Sequence, residues 1–120
     1  MNNPRRIYCL LTALLIFAAV GAAQDKKREA QLRTVKGIVF DKSENPVDGG
    51  VVFLRNMRTN SVRSSYTDDT GKYRFSGLDP NADYEVHAEK EGEKSTTRTV
   101  SSFDSRKEID VNLKIDRKKS

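Results

Sequence analysis

The chain has 120 residues, of which 22 are Lys or Arg and 17 are Asp or Glu. This length leaves room for one domain with a small core. The formal net charge is +5, and removal of the amino-terminal signal described below leaves +3, which is too small to predict a polyanionic partner. This small charge and the export signal together argue against nucleic-acid binding.

The amino-terminal residues 1–23 have the composition of a secretory signal peptide. Two arginines precede an apolar run over residues 7–20, and small residues at 21–23 end it. The run is shorter than the about 20 residues that span a membrane. We therefore predict cleavage after Ala23, with Gln24 as the new amino terminus, no membrane span in the mature chain, and a secreted or periplasmic location.

Removal of this segment changes both the charge and the thiol content of the chain. Loss of Arg5 and Arg6 leaves 20 basic against 17 acidic residues, a net charge of +3. Cys9 is the single cysteine, and it lies inside the apolar run rather than behind small residues, so we do not expect it to accept a lipid anchor. The mature chain is predicted to form no disulfide and to depend on packing for its stability.

The polar stretch 24–33 lacks an apolar period and is predicted to be a flexible leader. From residue 34 onward, short β-branched and aromatic runs alternate with Gly, Pro, Asn and Asp, which is typical of an all-β domain. We expect this domain to cover residues 34–116 and a frayed tail to follow at 117–120. The predicted strands lie at 34–40, 51–55, 62–67, 72–75, 84–89, 94–100 and 109–115.

No helical period of useful length follows residue 23, so we predict a Greek-key β-sandwich of about seven strands in two sheets. Within most strands, apolar side chains alternate with polar ones and define an inner face. The turn at 68–71 makes the clearest hairpin, between the strands at 62–67 and 72–75. The predicted core consists of Val35, Val39, Val52, Leu54, Tyr73, Phe75, Leu78, Tyr84, Val86, Ala88, Ile109, Val111 and Leu113.

Three segments together resemble the carboxypeptidase regulatory-like domain family. They are Val-Lys-Gly-Ile-Val-Phe-Asp at 35–41 with Asn-Pro-Val at 45–47, the stretch 67–75 around its Asp-Asp-Thr-Gly turn, and Leu-Asp-Pro at 78–80 before Tyr-Glu-Val at 84–86. The resemblance implies a transthyretin-like (prealbumin-like) sandwich, related to Cna B-type domains, over residues 34–115. It also implies an accessory role, since the family's domains are appended to bacterial enzymes, adhesins and outer-membrane receptors. Ala82 stands where the family usually has Gly, which concerns only the local turn.

Basic side chains concentrate in the middle strands and form a candidate binding surface for anionic glycans or lipid headgroups. Ordinary solvated charges explain the same pattern, and both interpretations stay open. The loops 56–60 and 68–71 and the polar strand 94–100, which we predict at a sheet edge, extend this surface. Its candidate residues are Arg55, Arg58, Arg63, Asp68, Asp69, Lys72 and Arg74.

Catalytic and zinc chemistry have few candidate residues in this chain. Hydrolysis needs a nucleophile beside a base, and zinc sites draw on several His or Cys ligands, whereas His87 is the only histidine. Its place in the alternation predicts a solvated strand residue. The transthyretin-like hydroxyisourate hydrolases carry an amino-terminal His motif and a Tyr-Arg-Gly-Ser ending, both absent here.

Four aspartates offer oxygen ligands for calcium. These are Asp68 and Asp69 in one turn, with Asp79 and Asp83 further along the chain. A turn-initiating role for the first two is the preferred interpretation, because Asp side chains accept hydrogen bonds from nearby backbone N–H groups. No metal or other cofactor is predicted.

Lys36, Asn112 and Glu85 are the residue types of the isopeptide bond found in Cna B-type domains. That bond requires a buried, neutral lysine amine. The alternation places all three side chains on polar faces, so we predict no such bond.

These observations predict an exported, non-catalytic accessory module that binds a protein or carbohydrate partner at the cell envelope or outside the cell. The mature protein is expected to be a monomer. A transthyretin-like hydrolase and a purely structural spacer are the two alternatives.

Overall fold

The computed structural model describes residues 32–119, in which it places nine β-strands and no helix. The predicted signal peptide, its cleavage site and Cys9 lie outside the described residues. Within the described range, no segment is helical and apolar over the length that a bilayer crossing requires. The strands are β1 (Arg33–Phe40), β2 (Val51–Asn56), β3 (Val62–Tyr66), β4 (Lys72–Leu78), β5 (Tyr84–Lys90), β6 (Glu93–Ser95), β7 (Arg98–Val100), β8 (Glu108–Asp110) and β9 (Leu113–Lys118).

The strands form the predicted all-β sandwich. In one sheet β3, β2 and β5 lie side by side, and both β6 and β7 pair with β5. In the other sheet β1 lies between β4 and β8. β9 joins the sheets, because it pairs antiparallel with β6 and parallel with β1. With β6–β7 and β8–β9 each taken as one interrupted strand, the architecture has the about seven strands that were predicted.

The core lies between the two sheets, and every predicted core residue is buried. The period-two alternation therefore identified the inner faces correctly. Ala82 is also buried, at 1% exposure, and its backbone is not among those with positive φ. The methyl group that replaces the family's usual Gly thus packs into the core without backbone strain. The additional buried apolar residues are Val47, Ala82, Val100 and Ile115.

The strands extend further at both ends than the sequence predicted. Arg33, assigned to the flexible leader, belongs to β1 and is only 4% exposed. Its Nη1 donates a hydrogen bond to the carbonyl of Ser101 at 3.0 Å. Arg117 and Lys118, assigned to the frayed tail, pair with β6. Pairing with strands distant in sequence orders both ends, and a local pattern does not reveal it.

The prediction of one edge strand over residues 94–100 is wrong in its first part. β6 lies between β5 and β9, and Ser95 is 2% exposed. Its Oγ accepts a hydrogen bond from the Ala88 N–H at 2.8 Å and donates one to the Thr96 carbonyl at 2.9 Å. A hydroxyl satisfied in this way can be buried, so the polar sequence concealed an interior position.

The last predicted strand is interrupted at Val111 and Asn112, between β8 and β9. The Val111 carbonyl approaches Gly37 so closely that a Cβ there would lie 1.9 Å from its oxygen. The buried Tyr73 hydroxyl donates to the same carbonyl, and burial raises the pKa of Tyr73. Asn112 Oδ1 accepts a hydrogen bond from the Ile38 N–H at 3.0 Å. We call the pairing of β1 with β8 and β9 the terminal seam.

Candidate binding site

The basic residues of the predicted surface do not converge on one patch. Arg55 Nη2 lies 3.4 Å from Glu85 Oε2 on the sheet formed by β2 and β5. Arg58 Nη1 lies 3.9 Å from Asp79 Oδ2, between two loops. Each guanidinium therefore faces a carboxylate, which reduces its attraction for a distant anion.

Two further arginines of the predicted surface also have partners within the fold. Arg74 Nη2 is 3.7 Å from Glu108 Oε1 on the sheet that contains β1. The Arg63 guanidinium lies 5.5 Å from the centroid of the Phe75 ring and donates to the Ser76 carbonyl at 2.8 Å. The predicted surface is thus of mixed charge and is divided between the two sheets.

Part of the predicted surface does come together around β1 and β4. Asp68, Lys72 and Arg74 line an open depression of about 580 Å³, whose walls also include Lys36 and Asn112. Acidic and basic groups occur side by side, so the depression does not favour a strongly charged ligand of either sign.

The Asp68 carboxylate is used by its own turn. Its Oδ1 accepts hydrogen bonds from the backbone N–H groups of Lys72 and Thr70, both at 2.9 Å, and from the Thr70 hydroxyl at 2.8 Å. These bonds, the Lys72 amide first, lower the pKa of Asp68. Gly71 completes the turn with φ of 76°. This geometry fits the turn interpretation, while Asp69 is exposed beside it.

The other two aspartates weighed for calcium also accept backbone hydrogen bonds, one from within its own turn and one from a distant loop. Asp79 Oδ1 accepts from Asn81 N–H at 2.8 Å, and Asp83 Oδ1 accepts from Ser102 N–H at 2.6 Å. Over residues 32–119, no three His, Cys, Asp or Glu side chains are grouped closely enough to hold a metal ion.

The three residues weighed for an isopeptide bond have separate partners. Lys36 Nζ lies 3.7 Å from Glu108 Oε2, and the Lys36 side chain is 36% exposed. The Asn112 amide oxygen is engaged by β1, as described above. Glu85 lies on the opposite sheet, paired with Arg55. The arrangement therefore provides no buried amine, and it does not bring Glu85 beside Lys36 and Asn112.

An exposed surface with several apolar side chains lies on the solvent side of the sheet formed by β3, β2 and β5. In the pairing of β2 with β3, Tyr66 lies opposite Val51 and Val62 lies opposite Arg55. Val62 is 56% exposed and Tyr66 is 76% exposed. We call this surface the outer face. Its side chains are Val51, Phe53, Arg55, Val62, Ser64, Tyr66, Glu85, His87 and Glu89.

Phe53 and His87 occupy the middle of the outer face. Their rings stack with centroids 5.2 Å apart and an angle of 20° between the planes. His87 Nε2 lies 3.2 Å from Glu89 Oε2. Glu89 Oε1 lies 2.6 Å from Lys119 Nζ, and the hydrogen bond from Lys119 lowers the pKa of Glu89. His87 is therefore on the predicted face but is stacked and half-buried, rather than simply solvated.

Two shallow grooves flank Phe53 on the outer face. One, of about 490 Å³, lies toward Val51 and Lys119. The other, of about 300 Å³, lies toward Val62 and His87. Phe53 thus contributes to both grooves and is central to the surface.

The sequence contained a signal for this surface that the prediction did not use. Val51 and Phe53 alternate with the buried Val52 and Leu54, so their side chains point away from the core. The candidate surface was predicted from charged side chains, polar loops and a polar strand, and apolar residues with the outward phase were left out.

A family model of the carboxypeptidase regulatory-like domain matches residues 34–114. Serine-aspartate repeat-containing protein I of Staphylococcus saprophyticus is 42% identical over 65 residues, which are 53% of this chain and 3% of that protein. Serine-aspartate repeat-containing protein F of Staphylococcus epidermidis is 32% identical over 77 residues, 64% of this chain and 5% of the relative. The chain therefore spans only a small part of the curated relatives it matches.

Solved structures show the same fold at low sequence identity. A streptococcal ancillary pilin matches 71% of this chain and 32% of its own, with a TM-score of 0.54 and 18% identity. The major pilin subunit of Bacillus cereus matches 72% of this chain and 30% of its own, with a TM-score of 0.55 and 11% identity. Catechol 1,2-dioxygenase from Acinetobacter matches 72% of this chain and 53% of its own, with a TM-score of 0.55 and 14% identity. One sandwich thus occurs in pilins and in a dioxygenase, so these likenesses concern fold alone.

Proposed function

The chain belongs to the carboxypeptidase regulatory-like domain family, and from that premise we propose that it is an exported, non-catalytic accessory module. We propose further that it binds a protein partner at the cell envelope or outside the cell, and that the outer face is the binding surface.

The observation that carries this proposal is the exposure of apolar side chains on one sheet. Tyr66 and Val62 are the most exposed apolar residues within the nine strands, at 76% and 56%, and Phe53 lies between grooves beside them. Grouped apolar exposure of this kind marks protein interaction surfaces. Aromatic side chains at the centre of such a surface supply most of the binding free energy.

Charged pairs surround the apolar centre and supply its polar rim. Arg55 with Glu85 lies on one side, and Glu89 with Lys119 lies on the other. A polar rim around an apolar centre is the usual organisation of a protein interface. Binding would proceed by complementarity of shape and charge, without a covalent step.

The residue inventory supports a non-catalytic role. His87 is the only histidine of the chain, and its ring is engaged with Phe53 and Glu89. A hydrolase of the transthyretin-like type needs a nucleophile within hydrogen-bond distance of a base. Among residues 32–119 no Ser, Thr or Tyr hydroxyl is hydrogen-bonded to the His87 ring.

Export is proposed from the amino-terminal sequence, which has the composition of a secretory signal peptide. Amino-terminal sequencing of protein recovered from the periplasm or medium tests export directly. We expect Gln24 as the first residue, and an intact Met1 would contradict the proposed cleavage.

Partner capture from the envelope fraction tests the binding surface. We expect the wild-type chain to retain a specific protein and Phe53→Ala to lose it, because truncation removes the side chain shared by both grooves. Arg74→Ala, on the opposite sheet, is the matched control and should bind as the wild type does. Retention of glycans instead of protein would favour a carbohydrate partner, and equal capture by Phe53→Ala would remove the outer face as the site. Capture of nothing would favour a spacer.

A further inference from the structure

We propose that two copies of this chain associate through β3, whose free edges pair antiparallel and continue one sheet into the other. This inference goes beyond the proposed function, because it concerns the backbone edge of β3 and a second copy of the chain. The side chains of Val62 and Tyr66 that it covers also belong to the outer face. It also replaces the expectation of a monomer.

The hydrogen bonds at both ends of β3 fix the direction of its backbone groups. Asn56 N–H donates to the Ser61 carbonyl at 2.9 Å, and Thr67 N–H donates to the Gly50 carbonyl at 2.8 Å. In an antiparallel pair, successive residues direct their backbone groups alternately toward and away from the partner. Because residues 61 and 67 face β2, the N–H and C=O groups of residues 62, 64 and 66 all point away from it.

No strand in the described part of the chain occupies that side. β3 ends the strand order of its sheet and pairs with β2 alone. Protected edges commonly carry proline, lysine, a bulge or an inward-pointing charge. The sequence Val-Arg-Ser-Ser-Tyr at 62–66 has no proline, lysine or bulge, and Arg63 is its one charged residue. Arg63 is turned toward β4, where it covers Phe75 and donates to the Ser76 carbonyl. The edge is therefore open to an added strand.

The side chains of β3 are complementary to a second copy in one register. Pairing of outward-facing groups allows a two-fold axis at residue 63, 64 or 65. An axis at Arg63 would place two guanidinium groups opposite each other, and one at Ser65 would leave both Val62 side chains unpartnered. An axis at Ser64 places Val62 of each copy opposite Tyr66 of the other copy. It also places Arg63 of each copy opposite Ser65 of the other.

The Ser64 register matches the exposure of the strand. Its two apolar contacts cover Val62 and Tyr66, and it makes about six hydrogen bonds between the chains. Aromatic and β-branched residues are favourable cross-strand neighbours, and no like charges face each other. One strand per chain forms a small interface, so we expect weak, concentration-dependent association.

Cysteine cross-linking tests the register. Two hydrogen-bonded residues on the axis have Cα atoms about 5.5 Å apart, which is within the range of about 4.4–6.8 Å for a disulfide. In the exported chain, from which the proposed cleavage after Ala23 removes Cys9, Ser64→Cys should form a disulfide-linked dimer under mild oxidation. The neighbouring Ser65→Cys is the matched control and should stay monomeric, because its side chain points to the other face. Equal cross-linking of both variants, or of neither, would overturn the proposal.

Sedimentation velocity tests the association without a covalent link. We expect the wild type to change from monomer to dimer between about 10 μM and about 1 mM, a range typical of weak association. Ser64→Pro should remain monomeric, since it removes an N–H that faces away from β2, and Ser64→Ala should dimerise as the wild type does. If Ser64→Pro does not fold, Tyr66→Glu replaces it and should weaken association about tenfold.

A wild type that stays monomeric throughout this range would contradict the proposal, as would a folded Ser64→Pro that dimerises. The two proposals fail separately. Phe53→Ala should lose the envelope partner and still dimerise, whereas a wild type that captures the partner and stays monomeric would contradict the dimer alone.

Discussion

The terminal seam and the β3 edge lie in different sheets of one sandwich and have opposite properties. At the seam, β1 has a strand on each side, and a carbonyl approaches Gly37 too closely for any side chain. At β3, a strand lies on one side only, and Tyr66 is 76% exposed. The difference separates a tightly packed seam from the open edge at which we propose that the chain associates. Substitutions at the seam should lower the free energy of unfolding, and those on β3 should alter association.

The largest effect is expected for Leu113→Ala in β9. Leu113 is 2% exposed and pairs across the seam with Val39. Loss of its side chain leaves a cavity, and the free energy of unfolding should fall by about 2 to 5 kcal/mol. Chemical denaturation measures this change, and Tyr66→Ala on β3 is the control, with a change within about 0.5 kcal/mol. Similar losses of unfolding free energy for both variants would contradict the difference between the terminal seam and β3.

A somewhat smaller loss is expected for Gly37→Ala. The added methyl group would meet the backbone oxygen of Val111 at 1.9 Å, so the seam has to open. Overpacking of this kind costs about 1 to 3 kcal/mol. Thermal unfolding followed by circular dichroism measures it, with Gly77→Ala for comparison. Gly77 has open space around it but φ of 70°, so its loss reports backbone strain alone. A Gly37→Ala protein as stable as the wild type would show that the close approach is absent.

Tyr73→Phe should cost about 1 to 2 kcal/mol, because it leaves the Val111 carbonyl without its hydroxyl donor. The ring and its packing are retained, so this variant isolates the hydrogen bond. Urea denaturation at neutral pH measures the loss. A second variant, Tyr73→Leu, should lose more, and equal stability of Tyr73→Phe and the wild type would assign the role to packing alone.

The smallest effect is a pH dependence at the outer face. The hydrogen bond from Lys119 lowers the pKa of Glu89 in the folded chain, so folding favours the ionised carboxylate. This contribution is complete above the unfolded pKa of about 4.3 and is lost as the pH falls through the lower folded value. The melting temperature of Lys119→Gln should therefore fall less than that of the wild type between about pH 5 and about pH 3. If the melting temperatures of the variant and the wild type fall in parallel with pH, the pair of Glu89 and Lys119 contributes nothing to stability.

Much of the fold could be predicted from the sequence because each strand buries one face. Val86 and Ala88 alternate with Glu85 and His87, and this local period is enough to identify the inner side chains. The break at Val111 could not be predicted, since it results from the approach of a segment 74 residues away, as the contact of Ile38 with Asn112 shows. The burial of Ser95 likewise depends on a neighbouring strand.

The candidate site was less predictable than the fold for a related reason. Arg55 and Arg74 are close in sequence, but their partners Glu85 and Glu108 come from other strands, and the structure divides them between two sheets. Charge neutralisation of this kind is invisible in a linear pattern. The free edge of β3 depends on the order of strands in the sheet, which alternation does not encode.

The parallel pairing of β1 with β9 also has a mechanical consequence. It directs the start of β1 and the end of β9 toward opposite poles of the module. Tension applied between these two points acts along the strands, so that their hydrogen bonds are loaded together in shear and cannot open one after another.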